Sequence, residues 1–561
     1  MKLSSRYPLL IAVVLASLLT VLTHLFPLRW DMTRDSRYTL SSPSIELAEQ
    51  AQAPLLIEVL LEGSLPAEFR KLRSETRQLL EAYSQANDEI SYRFIDPMDE
   101  DEDPENVRRQ LEEFGLQAAR VDIQESGRVS TELVYPWARA YYEGRTVRIP
   151  LLKNQLGSTM EDRVSNSVQN LEYAISDALS KLLKPKSRKV AVLKGNGEMD
   201  DAHIADFFST LREYYYIAPF TLDSVGVDPQ GTLEDLSEFD LAVVVKPTEA
   251  FSEEEKYVLD QFTLRGGSSL WLVDATYQQT DSLSNRSFVL PRDLNLNDLF
   301  FKYGLRINPD LVKDVYAAPI VLASGADREA QFNRYPWFFY PLSSSAANHP
   351  VSTNLEGVRF EYASSIDTLP NSLQQTVLLT TSPLSRKVGL PYPIDFDKEI
   401  PENLKVVNEG PSATMTYDSG EIPLALLIEG EFSSAYTNRI KPFPLANSSE
   451  KGESRMVVIS DGDLMSNQLD SNGRPLELGF DRFTGNFYGN KEFLLNTVNY
   501  LLDDTGLINI RSKDIALSFM DPQRIAAERT NWQMLNILLP LGLLLFLGGF
   551  TQWSRRRLNR R

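Results

Sequence analysis

Acidic residues beside short glycine turns are the positions in this chain with the most chemical potential. Asp461-Gly-Asp463 follows the apolar run 455–459, so both carboxylates would emerge at a strand end. There they could hold Mg²⁺ or simply fold into an Asx-type turn. Asp274 ends a second apolar run, 269–273, and could join a shared carboxylate cluster with them. Gly195-Asn-Gly-Glu198 lies between the run 189–193 and a helical pattern starting near Asp201. Doubly wound folds bind ligands at such strand-to-helix turns, which makes Asn196 and Glu198 the polar candidates. The dinucleotide spacing fails because Asp200 stands at the third glycine position, and a tight turn explains the same residues. The aromatic run Tyr335-Pro-Trp-Phe-Phe-Tyr-Pro341 offers Tyr335 and Trp337 as groove or docking contacts for a sugar, a peptide or a partner. Core packing is the plainer reading of that run.

Composition removes many other chemistries. The chain has 561 residues and no cysteine, which excludes disulfides, thiolate catalysis, iron–sulfur clusters and cysteine zinc sites. Only three histidines occur, and His24 falls within an apolar segment, leaving His203 and His349 for any metal site or catalytic triad. There is no nucleophile-elbow G-x-S-x-G, no H-E-x-x-H and no Walker lysine loop, so the chain does not itself use ATP. Net charge is −20, and setting aside seven basic residues in the two tails leaves −27 for the remainder. Such a surface repels nucleic acid and anionic headgroups. On these grounds no catalytic residue, cofactor or metal is assigned, and no nucleic-acid partner is expected. The acidic stretch 99–103 reads as a solvated loop before it reads as a Ca²⁺ site.

The elements that must position the acids follow from apolar runs and their punctuation. Residues 54–61 and 90–95 read as strands around a helix over 69–86, with further strands at 119–124, 131–142 and 146–151. Glu143-Gly144 marks a hairpin turn, and a helix over 160–184 closes the region. This β-α-β-α-β-β order resembles a thioredoxin-like layout without its CxxC. After Pro185-Lys-Ser187 the pattern becomes alternating strands and helices, with strands at 189–193, 217–222, 239–245 and 269–274. Ser252-Glu-Glu-Glu255 is a capping box opening a helix to Leu264. Runs 424–428 and 455–459 read as further central strands, followed by a helix over 490–502. Such alternation predicts a parallel sheet covered on both faces. The segment 277–423, rich in Asn, Ser, Pro and aromatics, reads as an insertion of short strands and loops.

Two apolar segments bracket all of this. Residues 9–28 contain no charge, and 534–550 is flanked by Trp532 and Trp553. A membrane helix needs about 20 apolar residues, and interfacial tryptophans suit its ends. Lys2 and Arg6 precede the first segment, while Arg555, Arg556, Arg557, Arg560 and Arg561 follow the second. The positive-inside rule then places both termini in the cytoplasm of a bacterium and the bulk beyond its inner membrane. The expected organisation is a tail over 1–8, a membrane helix over 9–28, and an N-terminal α/β domain over 29–185. A Rossmann-like domain in two parts, 186–276 and 424–531, surrounds the β-rich insertion 277–423. A second membrane helix, 532–553, and a basic tail, 554–561, complete it.

Several blocks, taken with the two-anchor layout, resemble the GldG-type auxiliary subunits of ABC transporters, often labelled gliding-motility substrate-binding proteins. They are Arg29-x-Asp31-x-Thr33 with Tyr38-Thr-Leu-Ser, Asn170-Leu-Glu-Tyr173, Gly195-Asn-Gly-Glu198, and Ile428-Glu-Gly-Glu-Phe432. Asp461-Gly-Asp463 with Asn467, Gly489-Asn490 through Asn496-x-x-Asn499-Tyr, and Leu507-Ile-Asn-Ile-Arg-Ser-Lys513 complete the set. Asn196 departs from the family's G-H-G-E, which removes whatever that histidine does elsewhere. The resemblance implies a multi-spanning permease partner, a separate cytoplasmic ATPase, and a non-catalytic central domain related to amidotransferases and to a module of intraflagellar transport proteins. The function expected is a non-enzymatic, membrane-anchored auxiliary subunit that meets a periplasmic ligand or partner. A hydrolase or transferase built on Glu198, Asp274 and Asp463, and a mechanical linker to the cell envelope, are the rivals.

Overall fold

A computed structural model of the chain describes residues 39–98, 104–125, 128–153, 159–280, 286–324, 331–410, 416–502, 506–512 and 522–558. The expected membrane segment 9–28 and the acidic stretch 99–103 lie outside the described residues. The chain falls into two compact units, Met1–Asp514 and Ile515–Arg561.

Within the first unit a four-stranded sheet is followed in the chain by a larger mixed one. In the smaller sheet Leu55–Val59 pairs in parallel with Ile90–Phe94 and antiparallel with Trp137–Tyr142, whose other neighbour is Arg145–Pro150. Leu55, Ile57 and Val59 are fully buried, as are Phe69, Leu72 and Tyr83 from helix Ala67–Ala86. Glu58 points to the opposite face and is clamped by Arg93 and Arg139 from the two flanking strands. Glu143 and Gly144 both take positive φ, +47° and +77°, as a tight hairpin turn between twisted strands requires. The single strand expected over 131–142 is instead two, Arg128–Val134 and Trp137–Tyr142. Pro136 separates them, since proline cannot donate to a ladder. Helix Met160–Leu183 opens with a capping box between Thr159 and Asp162.

Among the described residues the larger sheet has ten strands. Its parallel half runs in the order Lys451–Ile459, Ser268–Leu272, Leu241–Val245, Lys189–Lys194, Tyr216–Thr221. The order reverses between Leu241–Val245 and Lys189–Lys194, the crevice position of a doubly wound sheet. Alternate side chains feed two cores. Val190, Val243, Leu270 and Val457 meet Phe207, Phe208, Phe493 and Val498 on one face. Ala191, Val244, Trp271 and Val458 meet Leu233, Tyr257, Phe262 and Phe300 on the other. Both faces are covered, which is why these strands read as continuous apolar runs rather than alternating ones.

The expected all-parallel sheet is corrected to a mixed one. Pro423–Ser433 lies antiparallel to Lys451–Ile459, and Gln374–Thr380, Gln331–Ser345 and Ala317–Ser324 continue the sheet antiparallel. Antiparallel neighbours need no crossover helix, so nothing in the apolar pattern of 424–428 distinguished its direction. Part of the segment expected as short strands and loops therefore extends the main sheet, through the fifteen-residue strand Gln331–Ser345.

The second unit contains helix Pro522–Leu558, with Pro540 inside it. Its stretch Gln533–Trp553, 21 residues of mean hydropathy 2.0, is the one helix among the described residues long and apolar enough to cross a membrane.

Candidate functional site

The carboxyl ends of the parallel strands bring three of the expected acids together. Asp274 follows Ser268–Leu272, and Asp461 and Asp463 follow the neighbouring strand Lys451–Ile459. Asp461 is fully buried and takes hydrogen bonds from the amides of Asp463 at 2.7 Å and Glu361 at 2.6 Å. The first of these is the Asx-type turn. Asp274 accepts from the Gly462 amide at 2.6 Å. Gly462 has to be small, because a Cβ there would lie 2.5 Å from Lys246 Cγ.

Lys246, which the sequence reading did not single out, organises the cluster. It leaves strand Leu241–Val245 with φ +50°, a conformation rare outside glycine, and its ammonium sits 2.5 Å from both Asp463 oxygens. Asp274 Oδ2 lies 3.7 Å away. Arg359 and Glu361, from the inserted region, form the next pair outward. The Arg359 guanidinium lies 5.2 Å from the Tyr488 ring and 5.6 Å from the Tyr340 ring. A charged residue directly after a wholly apolar strand was the available signal for Lys246. Arg359 and Glu361 carried none, since they arrive about a hundred positions before Asp461 in sequence.

Electrostatics follow from four carboxylates crowded around two cations. Burial, with the charge of Asp463, pushes Asp274 up to about 6, against the pull of Lys246. Burial lifts Asp461 well above the carboxylate range, and Asp463 and Asp274 add to it. Glu361 is raised by burial against the pull of Arg359. For Lys246, burial works downward but Asp463 and Asp274 outweigh it, and the ammonium is held more firmly than usual. A polar cavity of about 430 Å³ opens beside Asp463 and Glu361, lined also by His203, Arg359, Ser466 and Asn467.

Glu198 lies in the turn after the adjacent strand Lys189–Lys194, where the next amide, Met199, donates to the carbonyl of Val245 just before Lys246. Oε2 of Glu198 accepts from the Asn196 amide at 2.8 Å, while Asn196 Nδ2 reaches Glu255 at 3.3 Å and the Asn196 carbonyl accepts from the amides of Thr248 and Glu249. Oε1 of Glu198 is buried with no partner, and burial raises this carboxyl. Gly197 takes φ +69° in that turn. Lys246 bonds Asp463 and approaches Asp274, whereas Glu198 is held by the Asn196 amide of its own turn. Among the described residues there is no group of three or more His, Asp or Glu side chains placed to hold a metal ion.

The aromatic run is divided by burial. Trp337, Phe338 and Phe339 are fully buried, and Trp337 and Phe339 pack with Val289, Leu311, Val388 and Ile394. Trp337 is thus a core side chain and has no surface to offer a partner. Tyr335 is half-buried.

Residues 187–497 match the model of a family described as ABC-type uncharacterized transport system. Residues 34–141 match a domain of unknown function, DUF7088. An uncharacterized protein of Borreliella burgdorferi is 20% identical over 536 residues, covering 94% of this chain and 93% of that protein. Among solved structures, the mmIFT52 N-terminal domain is similar over 56% of this chain and 98% of its own length, at 14% identity and a TM-score of 0.32, too low to decide the fold. With more than half of its length inside the family model, the chain belongs to the ABC-type uncharacterized transport system family, an auxiliary component of ABC transport.

Proposed function

We propose that this chain is a non-enzymatic, GldG-like auxiliary subunit of an ABC transporter complex, anchored in the bacterial inner membrane at both ends. Its termini are cytoplasmic and its bulk is periplasmic. Segments 9–28 and 532–553 cross the bilayer and pack against a multi-spanning permease, which a separate cytoplasmic ATPase drives. In the same reading the N-terminal layer, 29–185, is a thioredoxin-like scaffold, in keeping with its strand order. The Rossmann-like domain is built from 186–276 and 424–531, and carries the insertion 277–423. Glu198 and Tyr335, with Asp463 where Lys246 yields it, are the contacts offered to a periplasmic ligand or partner, while Asn196 is buried and spent within its own turn.

The observation that carries the reading is the family match combined with the apolar helix Gln533–Trp553. The state of the strand-end acids adds support for a non-catalytic role. Asp461 and Asp274 are taken up by backbone amides, and Asp463 by both oxygens on Lys246. Purification of the full chain from its own membranes in mild detergent tests the proposal. A multi-spanning permease should accompany it in fixed ratio, and a chain that is consistently solitary overturns the reading.

A further inference from the structure

A second charged cluster, centred on Glu492, joins three parts of the first unit. Glu492 lies in the first turn of helix Asn490–Leu502, which packs on the ten-stranded sheet. Its Oε1 accepts from Lys153 Nζ at 2.7 Å and from Arg511 Nη2 at 2.5 Å. Lys153 follows the last strand of the four-stranded sheet and also donates to the Asn354 carbonyl at 2.7 Å. Arg511 belongs to Leu507–Ser512, the last described segment before helix Pro522–Leu558. Its side chain is only 2% exposed, and its guanidinium carbon lies 4.8 Å from the centre of the Tyr173 ring in helix Met160–Leu183.

We propose that Lys153, Glu492 and Arg511 form a clasp fastening the segment Leu507–Ser512 to the layers of both sheets, so that a displacement of this segment reaches both together. The argument is one of charge. Two cations share one bonded carboxylate, so each is held by Glu492 and repelled by the other, while Glu356 and Asp177 attract Lys153 and Arg511 from farther off. A buried ion pair contributes little net stability because desolvation offsets attraction, but it fixes which groups meet and in what register. Here the groups that meet come from chain stretches 339 positions before Glu492 and 19 after it. The source of the displacement rests on the auxiliary-subunit reading; the clasp itself does not.

Amide hydrogen exchange on the full chain in mild detergent tests it. In Glu492→Gln, exchange across 507–512 and at 151–153 should rise at least tenfold, while the central strands Leu241–Val245 and Ser268–Leu272 keep their protection. Exchange at 507–512 within twofold of the parent overturns the clasp, as does an equal rise in the central strands of a folded variant. Should Glu492→Gln fail to fold, Arg511→Lys retains the charge but loses the stacked guanidinium. It should open 507–512 about threefold, and unchanged exchange there overturns the clasp equally. Neither readout depends on a bound permease, so the clasp and the subunit reading fail separately.

Discussion

At the carboxyl edge of the ten-stranded sheet, Asp274, Asp461, Asp463 and Glu361 crowd around Lys246 and Arg359. Beside helix Asn490–Leu502 the proportion is inverted, with Lys153 and Arg511 sharing the one carboxylate of Glu492. Burial raises the carboxyls of Asp274, Asp461 and Glu361, neighbouring carboxylates add to it, and the pull of Lys246 on Asp274 and Arg359 on Glu361 does not reverse it. Burial would raise Glu492 as well, but Lys153 and Arg511 outweigh it and hold the carboxylate at about 2. The count of opposite charges, rather than desolvation by itself, sets the sign. One cluster is thus poised to take up protons in mildly acidic conditions, and the other stays ionised throughout.

The sharpest way to break this contrast is Glu492→Gln. It leaves Arg511 and Lys153 facing each other and should cost about 2–4 kcal/mol at neutral pH, with Glu492 itself about a quarter exposed (27%), read as a lower urea midpoint. Because Glu492 titrates lower in the folded state than its ordinary 4.5, its contribution is present above that value and lost as pH falls toward about 2. An acid titration of stability in the parent, absent from the variant over that window, checks the sign. Asp274→Asn should act oppositely. The folded-state value of about 6 lies above the ordinary 3.8, so the stability from its proton is present below 3.8 and lost as pH rises through 6. Relative to the Asn variant, the parent should therefore lose on the order of 2 kcal/mol between pH 4 and 7. Equal slopes for the two proteins would contradict the assignment. The smallest effect is expected from Gly462→Ala, whose Cβ would meet Lys246 Cγ at 2.5 Å and Lys246 Cβ at 2.6 Å. Displacing Lys246 should cost about 1–2 kcal/mol and raise the Asp274 midpoint further, measurable by carboxyl NMR.

What the sequence disclosed depended on whether the signal was local. Leu241–Val245 and the apolar ends of Ser268–Leu272 and Lys451–Ile459 were legible because strand positions buried on both faces are apolar in succession. The Ser252–Glu255 capping box and the Glu143-Gly144 turn were legible because each is a short-range hydrogen-bond or φ requirement. The antiparallel direction of Pro423–Ser433 was not, since its residues satisfy either ladder. For the site, Asp274, Asp461 and Asp463 were visible as acids at strand ends. Their meeting point was not, because Lys246 and Asp463 lie 217 positions apart and only sheet order joins them. Trp337 was open to two readings, with core packing the plainer. Its aromatic run has the composition of a docking surface and of a core alike, and burial alone separates them.

Pro540 carries a consequence for the second unit. A proline within a helix withdraws the amide that would otherwise satisfy the carbonyl four residues back, here that of Asn536. Inside hydrocarbon bulk water could not substitute, and a neighbouring span is one source of the donor that oxygen would need. If the proposed membrane subunit is right, a lone copy of this helix in lipid would be less comfortable than an assembled one, and the bilayer itself would distinguish the lone subunit from the complex.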